Sequence, residues 1–409
     1  MRLKIDRIGH EGDGIAFDND AIIYIPYTLA GEEIEVEVSG NRGIANEIIT
    51  LSEERIAPIC PKYKICGGCS LQHWREDKVL EWKGAQIKGA LSRTGINIDD
   101  IKVEAAYESG RRRAKFSAKR IKGELQFGFV GARSHEIIDI DACPILTNNL
   151  SNHIPKIREL VRSLTQGNEE LGVLVTDCAN GIDVEITGLK AISKFNRGEL
   201  ENLARACEIA GIARLTIDGE DAFFRAHPFI KIGAANVELP AGAFLQATQT
   251  CEDLIGETML KWSKGVKRAV DLFAGIGTFS IRLKEIAQTN AYEIHQPSIV
   301  ALNKAAKAMA GGRTLQGFSR DLFRVPVSPL ELKNIDLVVL DPARAGAEAQ
   351  VKQLARTKIA KIIYISCEAT SFARDAKILI DAGYKLKEVK GFDQFAFSTH
   401  VEMMGFFVK

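Results

Sequence analysis

From about Cys251 to the C-terminus, the chain alternates short apolar segments with stretches of helical length. AVDLF, TNAYEI, RTLQG, IDLVVLD, KIIYISC, GYKLKEV and HVEMMGFFV read as strands, and only the last two are separated by a short loop rather than a helix. Parallel strands cannot be joined by a tight turn and need such crossovers. The pattern therefore predicts a doubly wound α/β sheet closed by an antiparallel hairpin strand. In such a sheet ligands bind beyond the carboxyl ends of the strands, so the residues that follow each apolar run are the first place to look for chemistry.

The rest of the 409 residues is too long for one further core of ordinary size, and the reading is of a multi-domain chain with three parts. Residues 1–53 alternate in short β-like runs punctuated by glycines, with strict alternation in Ile34-Glu35-Val36-Glu37-Val38, and predict a small N-terminal β-barrel of oligonucleotide-binding type. Residues 54–245 read as an α+β middle domain with a cysteine cluster. It has a charged helix over about 77–92, strands at Lys115–Ala118, Leu125–Val130, Leu171–Thr176 and Asp183–Thr187, and helices near 153–164 and 197–209. Residues 246–409 form the C-terminal Rossmann-like α/β domain. No apolar run reaches signal-peptide or membrane-spanning length, so a cytoplasmic protein without membrane contact is expected. The absence of any coiled-coil or repeat signal leads to the expectation of a monomer.

The segment Ala269-Val270-Asp271-Leu272-Phe273-Ala274-Gly275-Ile276-Gly277-Thr278-Phe279 runs from a strand into a glycine-rich turn and a helix. Glycine there lets backbone approach a ligand, and the helix start supplies free amide donors, although many βα turns use glycine for geometry alone. The next strand ends at Glu293, where a carboxylate can accept both hydroxyls of a ribose. These features suit a dinucleotide or S-adenosylmethionine. Ser280 stands where a pyrophosphate-binding turn would place its third glycine, which favours S-adenosylmethionine. Asp321, after a later short strand, suits either an adenine contact or an ordinary loop. Asp341-Pro342 lies at the mouth of the fourth strand.

Cys367 is delivered to that same edge by Ile362-Ile363-Tyr364-Ile365-Ser366, and it reads either as core filler or as a nucleophile, with Arg344 available to stabilise a thiolate. A thiolate added to carbon 6 of a pyrimidine makes carbon 5 nucleophilic toward a sulfonium methyl group, after which a base must remove the carbon 5 proton. Glu402 and His400 are the two candidates for that base. Alternation puts them on one face of the last strand, and the sequence does not separate them.

Cys60, Cys66 and Cys69 form C-x5-C-x2-C, and Cys143-Pro144 follows much later. Four thiolates suit tetrahedral zinc or an iron–sulfur cluster. The glycines between Cys66 and Cys69 and the Cys-Pro pair favour [4Fe-4S], which would tie the segment after the barrel to the middle domain. Cys178, Cys207 and Cys251 have no such spacing and are expected in the core. Net charge is +1, so any contact with nucleic acid must come from local patches. The candidate is the run Arg111, Arg112, Arg113, Lys115, Lys119, Arg120 and Lys122, which also reads as a solvated edge strand.

Taken together, CPKYKICGGCSLQH, GRRRAKF, GFVGARSHEIIDIDACPIL, GAFLQAT, DLFAGIGTF, DPARAG, SCEATSFARD and STHVEMM resemble, in order, the RNA uracil-C5 methyltransferase family, most closely its iron–sulfur-containing 23S ribosomal RNA branch. The resemblance covers nearly the whole chain. It implies a TRAM-like N-terminal barrel and a class I methyltransferase domain. Cys367 would be the nucleophile and Glu402 the base; Gln246, Phe273, Thr278, Glu293, Asp321 and Asp341 would line the S-adenosylmethionine pocket, and Cys60, Cys66, Cys69 and Cys143 would hold the cluster. The implied partner is RNA with an unpaired uridine, 23S ribosomal RNA ahead of transfer RNA. Methylation of cytosine carbon 5 and a non-catalytic RNA-binding factor are the readings that compete. There are four departures from the family pattern: Ala343 and Ala396 stand where proline is common, Thr248 where asparagine is common, and Glu368-Ala369 where Asn-Pro is usual.

Overall fold

In Glu33–Ser39 every second side chain turns inward, and that alternation curls the first five strands into a closed barrel. These are β1 (Arg2–Ile8), β2 (Gly14–Asp18), β3 (Ala21–Ile25), β4 (Glu33–Ser39) and β5 (Arg42–Thr50), in the order β1-β2-β3-β5-β4 around Ile5, Ile23, Ile25, Ile34 and Val36. The structure is a computed structural model describing residues 1–165, 167–189 and 195–409. Among the described residues, no helix is long and apolar enough to cross a membrane.

After the cysteine segment come α1 (Glu76–Arg93) and β6 (Val103–Ala105), then the middle sheet. That sheet uses β7 (Arg113–Ile121), β8 (Glu124–Val130), β9 (Ile137–Asp139), β10 (Leu171–Cys178), β11 (Gly181–Thr187), β12 (Ile212–Ile217) and β13 (Glu220–Phe224), ordered β13-β12-β11-β10-β7-β8-β9. Helices α2 (Asn148–Leu164) and α3 (Arg197–Ala210) pack on one face of it, over Phe116, Phe127, Val173 and Val184. A small hairpin of β14 (Phe229–Ile232) and β15 (Ala235–Glu238) leads to the last domain.

The C-terminal sheet contains β16 (Arg268–Leu272), β17 (Gln288–Glu293), β18 (Leu315–Ser319), β19 (Leu337–Leu340), β20 (Lys361–Ser366), β21 (Lys385–Asp393) and β22 (Glu402–Val408). Between and before these strands run α4 (Gln249–Trp262), α5 (Ser280–Leu283), α6 (Gln296–Ala308), α7 (Glu348–Ala355) and α8 (Ala369–Asp381). The order is β18-β17-β16-β19-β20-β22-β21-β6, with β22 inserted antiparallel between β20 and β21. Leu337–Leu340 is buried along its whole length, as expected for a strand covered by helices on both faces.

Two expectations are refined. The sequence reading supplied seven strands for this sheet, but β6, from the stretch read as middle domain, adds an eighth by pairing parallel with β21. Helix α1 comes with it, burying Ile87, Ala90 and Leu91 in the C-terminal core. A three-residue strand carries too little periodicity to be seen in sequence. The basic run is the second. Strand β7 lies inside the middle sheet between β10 and β8, so it is not an edge. Arg112 is buried and paired with Glu252 of α4 at 2.5 Å while donating to the Gln246 carbonyl, and Arg113 donates to the Ala243 carbonyl. Arg120 donates to the carbonyls of Thr165, Gly123 and Arg162. Much of the run therefore joins domains and closes turns.

Helix α1 is docked so closely that a β-carbon on Gly84 would lie 2.3 Å from the Ile101 carbonyl oxygen. In an exposed helix interior, glycine to alanine stabilises by about 1 kcal/mol. Here the sign reverses: Gly84→Ala should destabilise by roughly 1–3 kcal/mol, read as a lowered midpoint in chemical denaturation.

Candidate active site

The residue immediately after each of five parallel strands points into one cavity of about 820 Å³. Phe273 follows β16, Ile294 follows β17, Asp341 follows β19, Cys367 follows β20 and Gln394 follows β21. Glu402 opens β22, whose reversed direction brings its first residue to the same edge. Gln246, Gly275 and Glu293 also line the cavity. Thr278 and Asp321 do not line it; Asp321 instead accepts the backbone amides of Phe323 and Arg324 and closes a turn.

At the cofactor end, Glu293 accepts the amides of Gly275 (3.1 Å) and His295 (2.8 Å), fixing its carboxylate. Phe273 has φ of 63°, unusual for a residue with a β-carbon, and its ring leans on Phe323 with centroids 5.3 Å apart. Gly275 has positive φ and nothing within 4 Å of where a β-carbon would stand. Together these make an apolar slot with an open glycine floor and a positioned carboxylate. Below it, Asp271 is wholly buried, accepts from the Ser280 hydroxyl, and is raised to about 7 by loss of water.

At the reacting end, four side chains from separate segments form one chain of hydrogen bonds. Gln394 Nε2 donates to Glu402 Oε2 and to Gln246 Oε1, both at 2.8 Å, and Gln246 Nε2 donates to Asp341 Oδ2 at 3.0 Å. The Ala247 amide holds Gln394 Oε1 at 2.7 Å, so the orientation of the Gln394 amide is set. Burial, reinforced by Asp341, holds Glu402 well above the carboxylate range against the opposing bond from Gln394. Asp341, its carboxyl turned away from water and facing Asp271, is raised to about 7. His400 is exposed, outside β22, with Arg344 Nη2 3.4 Å from its Nε2. The structure thus separates two residues that alternation had left equivalent: both line the cavity, but Glu402 is buried beside Gln394 and His400 is exposed.

Burial pushes the Cys367 thiol up to about 11, with Glu402 and Asp341 acting in the same direction and Arg344 against them. Arg344 is where the sequence reading placed it, but its charge is outweighed. Of the departing residues, Thr248 N-caps α4 by accepting the Cys251 amide, and Glu368 N-caps α8 by accepting the Thr370 amide. Gln394 was missed in the sequence, although the rule that found Asp341 and Cys367 also points to it, since it follows the end of a parallel strand.

The cysteines converge on the far wall of the same cavity: Cys60, Cys66, Cys69 and Cys143 all line it. Gly68 N donates to Cys66 Sγ at 3.4 Å, the amide-to-sulfur bond expected of that loop. Burial raises Cys69 to about 11 and Cys143 to about 12, and Cys60 and Cys66 add to the rise at both. Among the described residues, however, no three metal-binding side chains are arranged as a metal site. Cys207 and Cys251 are fully enclosed and Cys178 nearly so, as expected for core residues.

A family model described as tRNA (uracil-5-)-methyltransferase matches residues 76–409. The chain belongs to that family. It is accordingly an RNA (uracil-5-)-methyltransferase. An uncharacterised RNA methyltransferase of Caulobacter vibrioides is 37% identical over 414 residues, covering 100% of this chain and 99% of that one. The 23S rRNA (uracil(1939)-C(5))-methyltransferase RlmD of Shewanella amazonensis is 30% identical, covering 100% and 95%. The Pyrococcus abyssi tRNA (uracil-54, C5)-methyltransferase, solved with S-adenosyl-L-homocysteine, overlays with a TM-score of 0.76 at 20% identity and full coverage of both chains, which establishes the shared fold.

Because the Arg344 charge lowers the Cys367 thiol, Arg344→Ala should raise it further. Alkylation of the methyltransferase at Cys367, followed by peptide mass mapping across pH, should show its labelling midpoint moving to higher pH in the variant.

Proposed function

We propose that this methyltransferase transfers a methyl group from S-adenosylmethionine to carbon 5 of an unpaired uridine in 23S ribosomal RNA, with Cys367 as nucleophile and Glu402 as base. The observation that carries the reading is the enclosure of Cys367, Asp341, Gln394 and Glu402 at one edge of the sheet, within reach of the glycine-floored slot. The slot fits the cofactor: Phe273 and Phe323 offer an apolar flank for adenine, Glu293 a carboxylate for ribose hydroxyls, and Gly275 open space for the ligand. When bound, S-adenosylmethionine supplies an electrophilic sulfonium methyl group.

The protein's part is to make carbon 5 attack it. The Cys367 thiolate adds to carbon 6, and the ring electrons move onto carbon 5, which takes the methyl group. Glu402 then accepts the carbon 5 proton, the carbon 5–carbon 6 double bond re-forms, and the carbon–sulfur bond breaks to return the thiolate. A thiol raised to about 11 is nearly all protonated at neutral pH, so thiolate formation depends on positive charge arriving in the cavity.

Ribosomal RNA is favoured by the identity to RlmD along the full chain and by the four cavity-wall cysteines. Lys62, Arg111, Arg113 and Lys115 stand on the same wall and suit a phosphate backbone entering beside the cysteines. Transfer RNA is the second reading, supported by the description of the family model. We propose further that Cys60, Cys66, Cys69 and Cys143 hold a [4Fe-4S] cluster. Four half-buried cysteines sharing one wall, with an amide already on Cys66, suit such a group, whose role there would be to staple the segment after the barrel to the middle sheet.

RNA carrying 5-fluorouridine should form a denaturant-resistant conjugate with the native enzyme, because carbon 5 then has no proton to lose. Cys367→Ser should form none, and failure of the native enzyme to form it under methylating conditions sinks the mechanism. Mass mapping of ribosomal and transfer RNA from a deletion strain should find the missing methyl in 23S ribosomal RNA; a transfer-RNA loss selects the second reading. Anaerobically purified protein should contain about four iron and four sulfide per chain, falling sharply in Cys69→Ser.

A further inference from the structure

The loop between β21 and β22 has Gln394 at one end and delivers Glu402 at the other, and it is held from outside the catalytic strands. Lys83, in the middle of α1, has no exposed side-chain surface, and its ammonium lies 2.6 Å from the Asp393 carboxylate. Asp393 Oδ1 accepts the Phe395 amide at 2.9 Å, and Lys83 Nζ donates to the Phe395 carbonyl at 3.4 Å. The Asp393 carbonyl in turn accepts the Ala106 amide at 2.9 Å, just beyond β6. Gln394 is therefore fixed through both of its chain neighbours, and its amide is the group that bonds Glu402.

Packing alone does not call for this arrangement. A buried ion pair contributes little net stability, and an apolar pair of similar volume fills the same space as well or better. An apolar pair would leave the Phe395 amide and carbonyl without these partners and the turn around Gln394 free to rotate. Cys367, by contrast, lies between β20 and α8, and the polar partners of Lys83 are Asp393 and Phe395 rather than residues of either element.

We propose that Lys83 is a positioning residue for proton removal from carbon 5, acting through Asp393 and Gln394 on Glu402. The proposal rests on the reading of Glu402 as base. Loss of Lys83 then slows the second half of the reaction more than the first: the carbon–sulfur bond still forms and the methyl group is still transferred, but the proton leaves carbon 5 slowly and the conjugate persists.

The test uses the full chain, an ordinary uridine transcript and radiolabelled methyl donor, and reads the ratio of methyl groups held in denaturant-resistant conjugate to those in released RNA. In Lys83→Met that ratio should rise by at least about tenfold over wild type. Because Lys83→Met leaves Asp393 without its ion-pair partner, a Lys83→Met/Asp393→Asn double variant removes both charges at nearly constant volume, and it should show the same rise. Equal loss of conjugate and released product, or a wild-type ratio in the double variant, overturns the proposal and leaves Lys83 a packing residue. Glu402→Gln run in parallel distinguishes the two failures. Conjugate accumulation there without any in the Lys83 variants defeats only the role of Lys83, whereas no accumulation in Glu402→Gln defeats the assignment of the base and this inference with it.

Discussion

Two carboxyl groups, Asp341 and Glu402, stand without water at one end of a single cavity, and most of the site's construction answers the cost of that. Asp341 and Glu402 are deprived of water, and each bears on the other through two glutamine amides. Loss of water raises both, and a like charge adds to the rise at each, Asp341 at Glu402 and Asp271 at Asp341. Burial raises the Cys367 thiol, and the same two carboxylates add to the rise. A positive charge entering near Asp341 lowers the cost of ionising all three.

That arrangement needs backbone from distant parts of the chain. Gln246 precedes α4, Asp341 follows β19, Gln394 follows β21 and Glu402 begins β22. Arg112 of the middle sheet accounts for part of their alignment: it donates to the Gln246 carbonyl and to Gln249, and it pairs with Glu252. What looks in sequence like a stripe for binding phosphate is in part a clamp between domains. Arg111 and Arg113 still line the cavity, each with an Nε that has no hydrogen-bond partner among the described residues, so the run serves both purposes.

The doubly wound sheet, the barrel and the cysteine spacing were legible because each leaves a periodic or spaced signal. Apolar runs such as Leu337–Leu340 follow from burial on both faces, and the alternation in Glu33–Ser39 from burial on one. Val103–Ala105 left no such signal, and its place at the edge of the sheet depends on pairing with residues nearly three hundred positions away. Thr278 belongs to a recognisable string and Asp321 follows a short strand, yet neither lines the cavity.

By itself the sequence determined which residues could do the chemistry: a cysteine, an aspartate and a glutamate at strand ends, and four cysteines at cluster spacing. Those assignments depend on local periodicity and residue type, which a linear chain displays. Only the tertiary structure buried Glu402 while leaving His400 exposed, drew Arg112 inward, and brought Lys83 against Asp393. Burial and hydrogen-bond partners across hundreds of residues decide such matters, because a side chain's proton affinity and direction are set by what surrounds it in space.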